Sequence, residues 1–367
     1  MEDKGLLFLM LVETAVVGGI FLLYPRVARK GLLFGVYVGE SAFEGKRAQE
    51  ITRSWYRWMI VALIASLAGG AALFLTAARP LAAVAPIYLI LLASLALYLR
   101  AYYQARSLAM AGPPPDAVAP AITVPATSAL LPVISLVAAV ACGLVAVAYT
   151  WTHYADLPAR IPTHFDGTGR PDAWRDKSLM TAMLPSLMTL VLGTMLGGMA
   201  WLTAHAKRAL RRADHGASLQ AQMQFRTAMA RLLSALAILT TGMLTFMSIQ
   251  TTRVALGEAE SLGSMVTILG VGMGVVALGG VVYIAVHYGQ GGSRLERARA
   301  DTPLTNGLAD NRNWYLGVFY VNRDDPSILV ERRFGIGYTL NLGNRMAIAL
   351  LVGFLAIVIA IAVASAS

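Results

Sequence analysis

The stretch SALLPVISLVAAVACGLVAVAYT (128–150) decides the fold, because its 23 residues contain no charged side chain. A helix of about 20 apolar residues is long enough to cross the hydrocarbon core of a membrane. In lipid the backbone must satisfy its own hydrogen bonds, which a helix does within one segment. We therefore predict that this stretch is a transmembrane helix.

Similar apolar runs recur along the whole chain. Counting the first, they are 5–24, 58–78, 81–100, 128–150, 179–203, 230–251, 265–288 and 346–364. Of the 367 residues, 57% are hydrophobic and 14% are charged, whereas about a quarter are charged in soluble domains. We expect an all-α polytopic membrane protein with about eight transmembrane helices.

Lysine and arginine are concentrated in connections on one side of the predicted bundle, namely 25–57, 204–229 and 289–345. Cytoplasmic loops of membrane proteins carry such an excess. The bias predicts a protein of the cytoplasmic (inner) membrane whose N-terminus and C-terminus are extracytoplasmic. The net charge of +10 then reflects topology and contact with anionic membrane lipid, and no nucleic acid partner is expected.

The polar segments divide the chain into five regions. They are an N-terminal three-span region (1–128), a two-span region with a polar loop (128–203), a second two-span region (204–288), a β-containing domain (289–345) and a last helix (346–367). The boundaries fall where apolar runs give way to charged or turn-rich sequence.

The domain 289–345 contains strand-like sequence. YLGVFYV (315–321) and SILVERRFGIGYTLNL (327–342) are rich in β-branched and aromatic residues, and NRDDPS between them has turn residues. We predict a small cytoplasmic β element over 313–344. Because an isolated hairpin is marginal in water, the segment LLFGVYV (32–38) could complete it.

Four charged residues of this β element form one candidate site: Asp324, Asp325, Arg332 and Arg333. Opposite charges on neighbouring strands favour cross-strand ion pairs. The alternative is a surface that docks a cytosolic regulator. The sequence leaves both interpretations open.

The segment LPARIPTHFDGTGRPDAWRDKS (157–178) is polar although apolar runs flank it. By the charge bias it faces the exterior, and we predict a structured extracytoplasmic loop over 151–178. A histidine titrates near neutral pH, and neighbouring carboxylates stabilise its cation. The candidate ligand-binding residues are His153, Arg160, His164, Asp166, Asp172 and Lys177.

The same residues also fit a purely structural role. Prolines stiffen the segment, Asp166 and Gly167 fit a turn, and Asp172 could pair with a neighbouring arginine. The spacing of the histidines and carboxylates matches no zinc signature. We expect no bound metal and no other cofactor.

Glu13 lies in the middle of the first predicted span. A charged side chain at membrane depth costs about 2.5–3.5 kcal/mol on insertion scales, so it usually faces the bundle and has a partner. Glu13 could therefore handle an ion or a proton. The alternative is a neutral acid that is hydrogen-bonded to a neighbouring helix.

Two pairs of glycines are each four residues apart within an apolar run. They are Gly193 with Gly197, and Gly270 with Gly274. Such pairs let membrane helices approach closely. We predict close helix contacts at both pairs.

The polar loop with its flanking runs resembles a widespread bacterial domain of unknown function, which lies between two membrane helices. The mark of that domain is Leu-Pro, Ile-Pro-x-His-Phe, Gly-x-x-Asp and Lys in this order. Here these residues are Leu157, Pro158, Ile161, Pro162, His164, Phe165, Gly169, Asp172 and Lys177. The same domain occurs in SdpI-type immunity proteins, which protect cells from secreted antimicrobial peptides. In that family the membrane protein is also thought to report the toxin by sequestering a cytosolic repressor.

The segment 314–344 resembles a second uncharacterised bacterial domain. Its residues here are Gly317, Phe319, Tyr320, Asn322, Asp324, Asp325, Pro326, Arg333, Phe334, Gly335, Gly337 and Asn341. This segment stands where SdpI-type proteins have a different C-terminal domain. The resemblance therefore implies immunity or peptide signalling only for the polar loop.

Together these features predict a membrane protein that binds or senses an extracytoplasmic ligand. The resemblance makes immunity to an antimicrobial peptide, or signalling of its presence, the particular expectation. Expected partners are membrane lipid, a peptide ligand outside and a cytosolic regulator inside. The sequence contains no nucleophile elbow, phosphate loop or HExxH motif, so we expect no enzyme. Alternatives are a transporter or proton-coupled permease using Glu13, and a metal-dependent membrane hydrolase.

Overall fold

The protein was analysed as a computed structural model that describes residues 2–76, 79–110, 129–205, 216–297 and 311–366. The long helices are α1 (Glu2–Val27), α3 (Lys46–Leu75), α4 (Arg79–Arg106), α5 (Leu130–Thr152), α6 (Leu179–His205), α7 (Gly216–Ala255), α8 (Ser264–His287) and α10 (Arg345–Ala366). Two short helices are α2 (Glu40–Glu44) and α9 (Ser293–Arg297). Parts of the predicted basic connection 204–229 and of the domain 289–345 lie outside the described residues.

The strands are short and antiparallel. They are β1 (Leu32–Leu33), β2 (Val36–Tyr37), β3 (Arg160–Phe165), β4 (Pro171–Asp176), β5 (Trp314–Tyr315), β6 (Phe319–Tyr320), β7 (Leu329–Glu331) and β8 (Tyr338–Leu340). Each odd-numbered strand pairs with the next one to form a hairpin. A single parallel bridge between Tyr320 and Asn341 links the last two hairpins.

Within the described residues, seven helices are long and apolar enough to cross a membrane: α1 and α3 to α8. These helices confirm the predicted class, a polytopic helical membrane protein. Within the described residues, the eighth predicted run is found only as a shorter apolar helix, Arg345–Ala360 of α10, so the predicted count of eight is not confirmed.

The long helices pack in two groups. Helices α1, α3 and α4 contact one another, as do α5, α6 and α7, while α8 packs on α7 and α10 on α6. Met59 and Ile90 are fully buried in the first group. In the second group, small residues let the helix backbones approach closely.

The glycine pair in α6 has the predicted role. A Cβ atom on Gly197 would lie 2.7 Å from the Cα atom of Leu136 in α5, and one on Gly193 would lie 2.7 Å from Thr241 Oγ1 in α7. The second pair differs from the prediction. A Cβ atom on Gly274 would have no neighbour within 4 Å, and one on Gly270 would only reach Met243 Sδ at 4.0 Å.

Gly197→Ala is expected to lower the free energy of unfolding by about 1–3 kcal/mol, because α5 and α6 must move apart to accept the methyl group. Gly198→Ala is the control, since a Cβ atom there meets nothing within 4 Å. That substitution should be neutral or slightly stabilising, because alanine favours helix over glycine. Unfolding of both variants in detergent micelles measures the difference, and equal stabilities would contradict the close packing.

The segment 32–38 does pack on the C-terminal hairpins, but it does not add a strand to them. It forms its own hairpin, and Leu32 packs against Trp314. Asn311 joins the two parts, since its amide nitrogen donates to Tyr37 O at 3.0 Å and its Oδ1 accepts from Tyr37 N at 2.9 Å. Tight turns therefore replace the longer strands expected from YLGVFYV and SILVERRFGIGYTLNL.

Aromatic side chains pack the C-terminal hairpins and the β1–β2 hairpin against the first helix group. The Phe334 ring lies 4.4 Å from the Tyr98 ring of α4, and the Phe34 ring lies 5.1 Å from the Trp55 ring of α3, measured between centroids. The end of the helices at which these contacts occur carries the basic connection 25–57. We call it the basic end.

Helix α7 connects the two hairpin regions. Near its start, the Phe225 ring lies 6.2 Å from the Tyr338 ring of β8, and at its end Ala255 packs with Ile161 of β3. The 30 residues between Phe225 and Ala255 span about 45 Å of helix. The β3–β4 hairpin and the C-terminal hairpins therefore lie at opposite ends of the helix bundle.

Candidate functional site

The candidate site is the β3–β4 hairpin with its flanking residues 157–178, which we call the polar hairpin. Pairing begins with Arg160 opposite Asp176 and becomes irregular between Pro162 and His164. The turn is closed by Asp166 N, which donates to Arg170 O at 2.8 Å. Gly169 in this turn has a φ of +80°, a value that suits glycine.

Asp166 organises the turn. Its Oδ1 accepts hydrogen bonds from Thr168 Oγ1 at 2.6 Å, Thr168 N at 2.8 Å and Arg170 N at 3.0 Å. Hydrogen bonds from the Thr168 hydroxyl and from the backbone lower the pKa of the Asp166 carboxyl, because they favour its charged form. Of the two interpretations of Asp166, the geometry fits the structural one.

His164 and Asp172 are brought together across the hairpin. His164 Nδ1 lies 2.6 Å from Asp172 Oδ1, and both side chains are exposed to solvent. With Nδ1–H donated to the carboxylate, Nε2 of the neutral ring is an acceptor, and both nitrogens donate in the cation. The pair therefore presents ring nitrogen and carboxylate oxygen atoms to which a ligand can hydrogen-bond.

Trp174 lies two residues after Asp172 in β4, opposite Pro162 of β3, and was not singled out in the sequence. The Trp174 side chain is 41% exposed. A tryptophan within a polar segment, outside the apolar runs, was the sequence signal that could have identified it.

Lys177, Arg160 and His153 make local contacts. Lys177 Nζ donates to Leu157 O at 2.8 Å and to Ala155 O at 3.2 Å, and it lies 4.8 Å from the centroid of the Tyr154 ring. Arg160 Nη2 donates to Trp174 O at 3.1 Å. His153 Nδ1 lies 2.8 Å from Tyr149 O in the last turn of α5. Of the six predicted ligand residues, the hairpin therefore pairs only His164 with Asp172 as exposed side chains.

The polar hairpin is anchored on three helix ends. Its buried residues Leu157 and Ile161 pack with Ala182 of α6 and Ala255 of α7. At the tip, Gly169 O accepts a hydrogen bond of 2.9 Å from Leu262 N, which lies just before α8. The hairpin is thus a folded part of the second helix group.

Four hydroxyl groups lie buried beneath the hairpin, where α5, α6 and α7 meet. The Ser186 hydroxyl lies 2.7 Å from that of Thr150 and 2.7 Å from that of Ser248, and the Thr150 and Thr252 hydroxyls are 3.3 Å apart. Hydrogen bonds between hydroxyls hold membrane helices together. This cluster ties α7 to the helices that carry the polar hairpin.

Glu13 does not have the orientation that the sequence predicts. Its side chain is exposed, whereas the next residue, Thr14, is fully buried and donates to Met10 O at 2.8 Å. Glu13 therefore lies on the flank of α1 rather than facing α3 and α4.

The four charged residues of the β element are arranged differently from the expected cross-strand pairs. Arg333 is buried and donates to Asn311 Oδ1 at 2.7 Å, and its guanidinium lies 5.0 Å from the Trp314 ring centroid.

Asp324 and Asp325 lie in the connection between β6 and β7, and Arg332 follows β7. All three make local contacts. Asp325 Oδ2 accepts from the Tyr320 hydroxyl at 3.0 Å, and Asp324 N donates to Asn322 Oδ1 at 3.0 Å. Arg332 Nε donates to Tyr338 O at 3.0 Å. Asp324 and Arg332 are the exposed members of the set, so a docking surface would depend on these two.

Two family models match parts of the chain. Residues 141–189, from the second half of α5 through the polar hairpin into α6, match a domain of unknown function (DUF1648). Residues 323–348, which include β7 and β8, match a family of unknown function (DUF5808). No curated protein and no solved structure matches the chain.

The fold and these matches define a multi-pass helical membrane protein with two uncharacterised domains at opposite ends of its helices. Neither family description states a function, so the resemblance to SdpI-type proteins stays a prediction. Within the described residues, no group of three His, Cys, Asp or Glu side chains is placed to hold a metal ion.

Proposed function

We propose that the protein binds an extracytoplasmic ligand on the polar hairpin, at the exposed face that carries His164, Asp172 and Trp174. The single observation that carries the proposal is the exposed His164–Asp172 hydrogen bond on a well-anchored hairpin that also exposes Trp174. An aromatic anchor with adjacent polar groups is the usual composition of a peptide-binding surface. In this proposal the ligand is an antimicrobial peptide, and binding confers immunity or signals its presence.

The proposed location is a bacterial inner membrane, with the polar hairpin outside and the C-terminal hairpins in the cytoplasm. Its support is the placement of the two regions at opposite ends of α7, together with the excess of Lys and Arg at the basic end. Both termini are then extracytoplasmic.

A relay to a cytosolic regulator is the second part of the proposal. Helix α7 contacts the polar hairpin at one end and β8 at the other, and the buried hydroxyl cluster couples it to α5 and α6. A displacement of the hairpin would therefore be carried to the C-terminal hairpins by one rigid element. Asp324 and Arg332 are the exposed residues proposed to meet the regulator.

The test replaces the pair and challenges cells with secreted antimicrobial peptides. His164→Ala combined with Asp172→Ala is expected to weaken peptide binding at least about tenfold, since hydrogen bonds to charged groups contribute about 1.5–3 kcal/mol. Protection of expressing cells should fall in parallel. Thr163→Ala is the matched control, because Thr163 is exposed in the same strand and directly precedes His164.

Binding is measured on purified protein with a labelled peptide, and protection as the minimal inhibitory concentration. The proposal fails if the double variant binds and protects as well as the Thr163→Ala control. Loss of both in the double variant alone supports the proposal.

A further inference from the structure

A cavity of about 320 Å³ lies at the basic end, between the end of α1, the β1–β2 hairpin and the first turns of α3. One wall is apolar and includes Leu33, Phe34 and Phe334. The opposite wall is formed by α3 and includes Thr52, Arg53 and Tyr56. The function proposed above makes no use of this cavity.

The α3 wall is a polar stripe. Gln49, Thr52, Arg53 and Tyr56 have the spacing that places side chains on one face of a helix, and all four line the cavity. An apolar wall facing a polar one fits an amphipathic ligand, with its tail against Phe34 and its polar group against α3.

The polar side of the cavity is positively charged. Arg53 is exposed and hydrogen-bonds at 3.4 Å to the neutral amide of Gln49, and no carboxylate is among the lining residues. The guanidinium of Arg26, which does not itself line the cavity, lies 5.8 Å from the centroid of the Tyr56 ring and adds positive charge nearby. The charge therefore favours an anionic head group.

The depth of the cavity fits a lipid rather than a water-soluble anion. Tyr56 lines the cavity and Trp58 is exposed half a turn further along α3. Tryptophan and tyrosine concentrate at the level of the lipid head groups. Basic pockets between membrane helices at this level bind anionic lipid head groups.

We propose that this cavity is a binding site for one anionic phospholipid. Its phosphate would contact Arg53, and one acyl chain would lie along the apolar wall that the packed rings of Phe34 and Phe334 help to form. Because Phe334 belongs to the C-terminal hairpins, the bound lipid would also help to hold these hairpins against α1 and α3.

The test uses the full chain in nanodiscs that mix phosphatidylglycerol with phosphatidylcholine, and native mass spectrometry counts the retained lipid. The unmodified protein is expected to retain one phosphatidylglycerol in preference to phosphatidylcholine. Arg53→Gln should reduce this preference about fivefold, the effect of one basic side chain at a membrane surface.

Arg47→Gln is the matched control. Arg47 lies on the same helix, is exposed, pairs with Glu50 at 3.2 Å and does not line the cavity. It should leave the preference unchanged. Equal losses in Arg53→Gln and Arg47→Gln would show general surface attraction and overturn the site.

Thr52→Phe fills the cavity without changing its charge, and it should abolish retention while thermal unfolding shows that the chain remains folded. Retention of phosphatidylglycerol by this variant would overturn the proposal. So would inorganic phosphate that raises the melting temperature as much as phosphatidylglycerol does, because a free anion would then suffice.

Discussion

Glu331→Ala is expected to lower the free energy of unfolding by about 3–5 kcal/mol. Glu331 Oε1 lies 3.3 Å from Arg29 Nη2, and the exposed fractions of the two side chains are 6% and 3%. Truncation leaves the Arg29 guanidinium buried without this counter-charge. Removing one partner of a buried ion pair is strongly destabilising, because the remaining charge loses this attraction without regaining its hydration.

The pair also joins three parts of the chain. Arg29 follows α1, Glu331 ends β7, and Arg29 Nη2 donates to Gly291 O at 2.9 Å in the turn between α8 and α9. The carboxylate of Glu331 occupies the space where a side chain on Gly291 would lie. Loss of the carboxylate should therefore loosen the C-terminal hairpins from both helix groups.

A neighbouring ion pair provides the control. Lys30 Nζ lies 2.8 Å from Glu44 Oε1, but the side chains are 46% and 62% exposed. Glu44→Ala should cost far less than Glu331→Ala, because exposed ion pairs contribute little. Unfolding of both variants in mixed micelles, followed by circular dichroism, gives the two values. Similar losses would contradict the buried character of the Arg29–Glu331 pair.

The membrane helices could be predicted because their signal is local. An uncharged run such as 128–150 specifies a helix by its own length and composition, and α5 occupies Leu130–Thr152. Reasoning from local sequence did not predict the orientation of the Glu13 side chain. The cost of a carboxylate in lipid predicts that it faces the bundle, but the orientation of α1 is set by how Thr14, Met10 and Gly18 pack.

The candidate site could be predicted only in part. His164 and Asp172 are eight residues apart around a turn, so their meeting follows from local sequence. The contact of Gly169 with Leu262 and the hydroxyl cluster of α5, α6 and α7 depend on helix packing. No local pattern encodes such contacts, and the same holds for Arg29 with Glu331.

The short strands of the β element also depend on contacts between distant parts of the chain. The sequences around Gly35 and Gly317 were expected to form extended strands, but both turn sharply. Phe34 and Gly35 have φ values of +45° and +81°, and Leu316 and Gly317 have +50° and +68°. The Tyr98 hydroxyl donates to Leu316 O at 2.7 Å and lies 3.4 Å from Phe34 O. One side chain of α4 therefore contacts both turns.

The contact between these two turns gives the second large prediction. Gly35→Ala is expected to lower the free energy of unfolding by about 2–5 kcal/mol, which combines backbone strain with overpacking. A Cβ atom on Gly35 would lie 2.6 Å from Gly317 O and 2.7 Å from Gly317 Cα. Neither backbone can yield unless the two hairpins separate.

Gly257→Ala separates the effect of backbone strain from the effect of overpacking. Gly257 has a φ of +77°, similar to that of Gly35, but a Cβ atom there meets nothing within 4 Å. Its substitution should cost only the backbone strain, about 1–2 kcal/mol. The excess loss in Gly35→Ala, measured by the same unfolding experiment, then gives the contribution of the contact between the hairpins. If the two variants lose equal stability, the turns at Gly35 and Gly317 do not pack against each other. The segment 32–38 then does not support the C-terminal hairpins through this contact.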